Sequence, residues 1–368
     1  MTLAALLTGC TPATEAGQSS AKTAGELTAD QQKCVDSVSP DVEAARAVTP
    51  LLVPEERLDT AAVAGKNVWI VTALVNQWGS ELFDGMKAAA DEAGIKTTLY
   101  DGQGQVNRYN AGIQQAIAEK ADGIILVSID PAVVSQSLVD AKAAGIPVQN
   151  FYSGDPNDQL PEGIYGNVAA TPTEDGIAQA KWVLANSGCK ANVVLVHSSQ
   201  VGVWAKLVEG AKSVFEEYCP TECKLTVLDI DLANVSTDVG SQLTSALQRD
   251  PDTNYVWSSW DSAVTFINPV LSASNFQGVF LSHDGLQTAV QEIVDGGHLD
   301  STAAWPPPAW IGWVSLDDMA RHLAGAKPNG IVVPTRILDT ENIGDGSQGK
   351  TFENYVGFED KFVNAWKG

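Results

Sequence analysis

Apolar positions set the frame of this chain. From residue 67 onward, short β-branched runs alternate with stretches whose apolar residues recur every three or four positions. Residues 68–74 form an almost unbroken apolar run, which predicts a strand buried on both faces. In residues 81–93, Leu82, Phe83, Met86, Ala89, Ala90 and Ala93 share one helical face, and the pattern stops at Gly94. The cycle repeats. Strands over 97–100, 123–127 and 148–151 alternate with helices over 109–119 and 132–144, and a short strand is expected near 164–165. A second series follows, with strands over 193–196, 225–230, 255–257 and 279–281. Its helices span 173–186, 203–218, 239–248, 262–273 and 285–295. The chain then closes with a strand over 302–304, Pro306-Pro307-Pro308, a helix over 309–323, a strand over 331–338 and a helix over 353–366. Residues 344–349 read as a loop. Strand–helix alternation of this kind predicts an α/β fold of two doubly wound parallel-sheet lobes.

Parallel sheets build ligand sites beyond the carboxyl ends of their strands. Those positions hold Asn76 and Trp78, Asp101, and Tyr152 in the first series. In the second they hold Trp204, Trp260 with Asp261, Asp284, and Trp305. Indole faces suit C–H groups, and amides and carboxylates suit hydroxyls, so the set points to a neutral polyhydroxylated guest. Each residue also has a plainer reading. Asp261 and Asp284 precede predicted helices and would serve as N-caps. Asp101 would serve as a turn residue, and His197 and His283 as strand-end polar residues. Trp69, Trp182, Trp313 and Trp366 fall inside predicted elements and read as packing.

Composition sharpens this picture. Ten Trp outnumber 9 Phe and 7 Tyr, so indoles are in excess. Acidic residues number 45 against 22 basic, a formal charge of −23, which argues against nucleic acid or an anionic membrane surface as partner. No G-x-S-x-G, H-E-x-x-H or Walker A pattern occurs, and Asp101-Gly-Gln-Gly104 lacks the third glycine of a dinucleotide loop. The chain therefore reads as a binding protein, not an enzyme, with no cofactor and no metal.

The first residues end in Leu7-Thr8-Gly9-Cys10, which resembles a bacterial lipobox, with Cys10 as the lipidated residue. A tether rich in Thr, Ala, Gly and Ser follows, so the expected location is extracytoplasmic, anchored by lipid alone. In that compartment Cys34, Cys189, Cys219 and Cys223 suit disulfides. Segments ahead of the 193–196 and 225–230 strands favour pairing Cys189 with Cys219 or Cys223. Residues 22–64 read as a surface helix and a Pro-bounded segment packed on a lobe.

The stretches Val71-Thr-Ala-Leu-Val-Asn-Gln-Trp-Gly-Ser-Glu-Leu-Phe-Asp-Gly-Met86, Ala121-Asp-Gly-Ile-Ile-Leu-Val127, Ala144-Gly-Ile-Pro-Val148 and Leu281-Ser-His-Asp-Gly285 carry a resemblance. Together, in this order, they resemble the type I periplasmic solute-binding proteins of ABC transporters, the ribose-binding-protein-like group. The resemblance covers roughly residues 65–330. It implies two lobes joined by three crossings and closing on a ligand. The division would be 1–29 lipobox and tether, 30–64 extension, 65–167 with 306–335 first lobe, and 168–305 with 336–368 second lobe. By position it implies that Trp78 stacks on a sugar and Asn76 bonds a hydroxyl. Tyr152 and Ser153 stand where the family usually has an Asp-Arg pair, Trp260-Asp261 where it has Asn-Asp, and Trp305 where a Gln is common. The family's second-lobe Arg is unmatched, with Trp204 and Lys206 nearby instead. The implied role is a monomeric receptor delivering a sugar or polyol to an ABC permease. Alternatives are a sensory receptor of the same fold, a receptor for a non-sugar ligand with an aromatic or aliphatic face, and a carbohydrate-active enzyme.

Overall fold

The structure, a computed structural model, describes residues 27–346 and 355–367. The expected lipidation site Cys10 lies outside the described residues. The first lobe is built from β1 (Asn67–Thr72), α2 (Gln77–Ala93), β2 (Lys96–Asp101), α3 (Val106–Ala118), β3 (Gly123–Val127), α4 (Ser135–Ala143), β4 (Val148–Phe151) and β5 (Ile164–Val168). Its strands pair in the order β2-β1-β3-β4-β5, all parallel. β1 and β3 are buried almost throughout, as their apolar runs require, and edge strand β2 is partly open.

The second lobe comprises α5 (Pro172–Ser187), β6 (Asn192–His197), α6 (Gly202–Tyr218), β7 (Lys224–Asp229), α7 (Val235–Arg249), β8 (Tyr255–Ser258), α8 (Val264–Ala273), β9 (Val279–Asp284), α9 (Gln287–Val294) and β10 (Leu299–Ala304). After β10 the chain returns to the first lobe as α10 (Pro308–Leu323), which packs on α2. It crosses again to add β11 (Arg336–Asp339), so the second sheet runs β11-β10-β9-β8-β6-β7. β11 is the antiparallel member. Three crossings therefore join the lobes, after β5, β10 and α10. The first and third are tied together where Val333 N donates to Ala169 O at 3.0 Å.

Several expectations need correction. The strand expected over 331–338 is limited to Arg336–Asp339. Residues 331–335 run as irregular backbone across the hinge, and Pro334, lacking an N–H, could not donate to a ladder there. The last helix, α11 (Phe358–Lys367), packs on α10 of the first lobe, against the expectation that residues 336–368 belong to the second. Its apolar face explains this: Trp366 stacks on Trp313 at 5.4 Å, and Phe362 lies 5.6 Å from the same ring.

The disulfides also differ from expectation. Cys34 bonds Cys189, and Cys219 bonds Cys223. β6 and β7 are neighbours, and the Cys219 sulfur lies 3.2 Å from the Cys189 carbonyl oxygen, so the three cysteines do cluster. The partner Cys34 comes from helix α1 (Ala29–Ala45), which lies along α5. Sequence spacing carried no sign of that contact. Val38 and Val42 bury α1 on the second lobe, Lys181 pairs with Asp41, and Arg46 reaches Asp339 at 2.5 Å. The following segment then runs to the other lobe. Leu52 O accepts from Trp310 Nε1 at 3.0 Å, Glu56 O accepts from Arg321 at 2.7 Å, and Leu58 and Val63 are buried. The extension thus straddles both lobes.

Candidate functional site

The carboxyl ends of the two sheets face each other, and a cavity lies between them. Asn76 caps α2, its Oδ1 accepting from Gly79 N at 2.8 Å. This fixes the start of the helix and turns Trp78, in its first turn, toward the other lobe. Tyr152 follows β4, Trp204 sits in the first turn of α6, Asp284 ends β9, and Trp305 follows β10. These six residues line one cavity of about 40 Å³, together with Ser128, Val201, Val203 and Leu232. The lobes touch directly around it. Gly202 lies against the Ser153 carbonyl, where an added Cβ would be only 2.2 Å from the oxygen. Thr288 Oγ1 donates to Gln77 Oε1 at 3.3 Å, and Gln200 Nε2 donates to Gly104 O at 3.4 Å.

The rings form a packed group. Tyr152 lies 4.4 Å from Trp305 and 5.3 Å from Trp78, and Trp78 lies 6.3 Å from Trp305. Trp204 stacks on Trp260 at 4.4 Å. Trp305 is held by two acceptors, Asp175 Oδ2 at 3.0 Å and Thr335 Oγ1 at 2.9 Å. Trp78 Nε1 and Tyr152 Oη are buried without a hydrogen-bond partner. Burial pushes the Tyr152 phenol well up, with Asp175 and Asp284 adding to the effect. No Lys or Arg lines the cavity among the described residues; Lys206 pairs instead with Asp158 and Glu209.

Beneath the rings lies a buried polar network. His283 Nε2 contacts Asp175 Oδ2 at 3.1 Å, and its Nδ1 contacts Asp284 Oδ1 at 3.3 Å. Burial disfavours the imidazolium, yet the bonds and charges of Asp175 and Asp284 overcome it and lift His283 to about 9. Asp261 N donates to Asp284 Oδ2 at 3.2 Å. Asp261 itself accepts from Leu286 N at 2.7 Å, from Thr302 Oγ1 at 3.2 Å and from Ser282 Oγ. Burial raises both Asp261 and Asp284. Asp284 has φ 122°, a backbone conformation that costs energy outside glycine.

Of the predicted ligand residues, four lie off the cavity. Asp101 closes a turn, its Oδ1 accepting from Gln103 N at 3.0 Å. Ser153 donates to Asn150 Oδ1. Trp260 backs Trp204, and Asp261 lies behind Asp284. Sequence reasoning missed Asp175 and Thr335, which position Trp305, and the apolar wall of Val201, Val203 and Leu232. It read His283 as a strand-end polar residue, whereas it is the centre of the network. The expected N-cap roles of Asp261 and Asp284 are not seen; their carboxylates serve the network instead.

Residues 67–327 match the model of the periplasmic binding protein domain family. The D-apiose import binding protein of Actinobacillus succinogenes is 26% identical over 230 residues, 62% of this chain and 71% of that protein. Among solved structures, a 5-methylthioribose transporter solute-binding protein from Thermotoga lettingae superposes with TM-score 0.70 at 15% identity, over 86% of this chain and 99% of that one. An ABC transporter solute-binding protein from Agrobacterium vitis with bound allitol superposes with TM-score 0.68 at 22% identity, over 76% of this chain and 97% of that one.

Proposed function

This chain belongs to the periplasmic binding protein domain family, and from that premise we propose that it is the extracytoplasmic receptor of an ABC importer, taking up a small sugar, polyol or similar uncharged solute between its lobes. The observation that carries this reading is the interlobe cavity itself. It is walled by Trp78, Tyr152, Trp204 and Trp305, floored by Asp284, and free of lysine and arginine among the described residues. Ring faces pack on the C–H faces of a carbohydrate, and a carboxylate accepts from its hydroxyls. Absence of a facing cation disfavours anionic solutes. The relatives named above bind or import D-apiose, allitol and 5-methylthioribose. Uptake proceeds by hinge opening at the three crossings, closure on the solute and docking of the closed form on a permease. In this reading the protein performs no catalysis, acts as a monomer and is held at the membrane through Cys10. Among the described residues no helix is long and apolar enough to span a bilayer.

A thermal-shift panel of pentoses, hexoses, alditols and methylthiopentoses tests the reading, because a solute that binds only the folded form raises its melting temperature. At least one neutral carbohydrate is expected to raise it, and Trp78→Ala is expected to abolish that rise while leaving the fold intact. Stabilisation by anions alone, or an undiminished response in the variant, refutes the site. Radiolabelled palmitate incorporation that is lost in Cys10→Ser tests the anchor.

A further inference from the structure

Four independent observations meet at Tyr152. First, its ring lies 4.4 Å from Trp305 of the second crossing and edge-on to Trp78 of the first lobe at 5.3 Å, while the two indoles are themselves 6.3 Å apart. It thus fills part of the cleft beside both indoles. Second, the remaining cavity is about 40 Å³, room for about three waters, whereas small-molecule sites usually measure about 300–1,000 Å³. Third, its hydroxyl is buried without a partner in a residue only 1% exposed, a state that a core tyrosine usually avoids and that Tyr109 shares here. Fourth, residue 152 has φ 56°, which disfavours a bulky aromatic and usually marks a turn, a strained clamp or a switch. Tyr109, which packs in the core, shares the unpartnered hydroxyl but not the positive φ; Tyr152 combines the two.

We propose that the Tyr152 side chain is a built-in occupant of the interlobe cleft, holding the lobes together without solute, so that an incoming solute must displace it and residue 152 sets which solutes are admitted. The proposal rests on the cleft being the solute site. The rim of the cleft is consistent with it: Trp305 is pinned by Asp175 and Thr335, whereas Tyr152 Oη and Trp78 Nε1 are unanchored, and of those two residues only Tyr152 also has a positive φ. Displacement also carries a thermodynamic consequence. If the ring fills the cleft in about nine molecules of ten, solute affinity is lowered about tenfold by the competing state.

The test uses the full chain with Tyr152→Gly, which relieves the backbone, and Tyr152→Asn, which tolerates the same φ. Small-angle scattering without added solute is expected to show a larger radius of gyration in both variants than in the wild type. Adding p-cresol, the missing side chain as a free molecule, is expected to restore the compact form and raise the melting temperature of the variants and not of the wild type. Tyr152→Phe is expected to stay as compact as the wild type. D-Apiose and allitol form a separate arm: whichever responds in the wild type is expected to bind Tyr152→Gly about tenfold more tightly. Variants as compact as the wild type and blind to p-cresol overturn the proposal, and so does failure of both variants to fold, which would make the ring ordinary core. The scattering and p-cresol arms involve no carbohydrate. A positive result there with no response to any neutral carbohydrate would sink the carbohydrate reading alone.

Discussion

At the scale of single residues, the network under the rings is the feature with the sharpest consequence. Asp175 and Asp284 contact one imidazole, Asp261 joins them only through Asp284, and among the described residues no lysine or arginine is bonded to it. His283, at about 9 in the fold against about 6.5 in an unfolded chain, contributes stability that is complete below pH 6.5 and is lost as pH rises through 9. The raised Asp261 and Asp284 act in the same direction, because the folded state holds their protons at pH values where an unfolded chain has released them. The unfolding free energy from urea titrations is therefore expected to fall from pH 6 to pH 9, by up to about 1.4 kcal/mol per pH unit for each proton involved, and the midpoint with it. His283→Gln is expected to flatten the part above pH 7. A wild-type midpoint that rises over this range would contradict the assignment. The indoles were legible in the sequence because strand ends mark ligand positions. Asp175 was not, since an acid in the first turn of a helix looks like any residue placed for the helix dipole. Its role depends on the hinge bringing α5 beneath β9 and Trp305, which is a tertiary fact.

At the scale of elements, each lobe uses paired glycines to bring two helices into contact. In the first, an added Cβ on Gly85 would lie 2.1 Å from Ala309 O, and one on Gly312 2.4 Å from Leu82 O. In the second, Gly176 and Gly210 place α5 on α6 in the same way, with Leu207 O at 2.0 Å and Thr173 O at 2.1 Å. The obstacles are backbone atoms, which cannot move aside singly, so Gly85→Ala is expected to cost at least about 1–3 kcal/mol by overpacking. Gly240 in α7 meets nothing within 4 Å, and there alanine is expected to stabilise by about 0.5–1 kcal/mol. Urea denaturation of the two variants checks both signs, and a neutral Gly85→Ala would mean that α2 and α10 can slide apart. The elements themselves were readable from apolar periodicity because most are buried on one stripe or two faces. Two were not. The third crossing mimics a strand in composition but carries Pro334, and α11 has its amphipathic period without any local sign of which lobe will receive it.

At the scale of the whole molecule, the extension changes how the lobes are connected. α1 is fastened to the second lobe by Cys34–Cys189, Lys181–Asp41 and Arg46–Asp339, and the chain then runs to bury Leu58 and Val63 in the first. The two disulfides close loops of very different size, with separations of 155 and 4 residues. Loop-closure entropy removed from the unfolded chain grows with that separation. Replacing both members of the long pair, Cys34→Ser with Cys189→Ser, is expected to cost about 2–4 kcal/mol, and the matching change at Cys219 and Cys223 clearly less. Equilibrium urea unfolding under non-reducing conditions separates the cases. Equal losses would mean that local packing, not closure of the long loop, sets the contribution of each bond. A larger loss at the long pair would mean that the extension is part of the cooperative unit, because a helix that detached before the lobes unfolded could not pass its constraint on to them. Hinge opening would then work against a fourth connection, anchored on one lobe by a covalent bond and on the other by apolar burial.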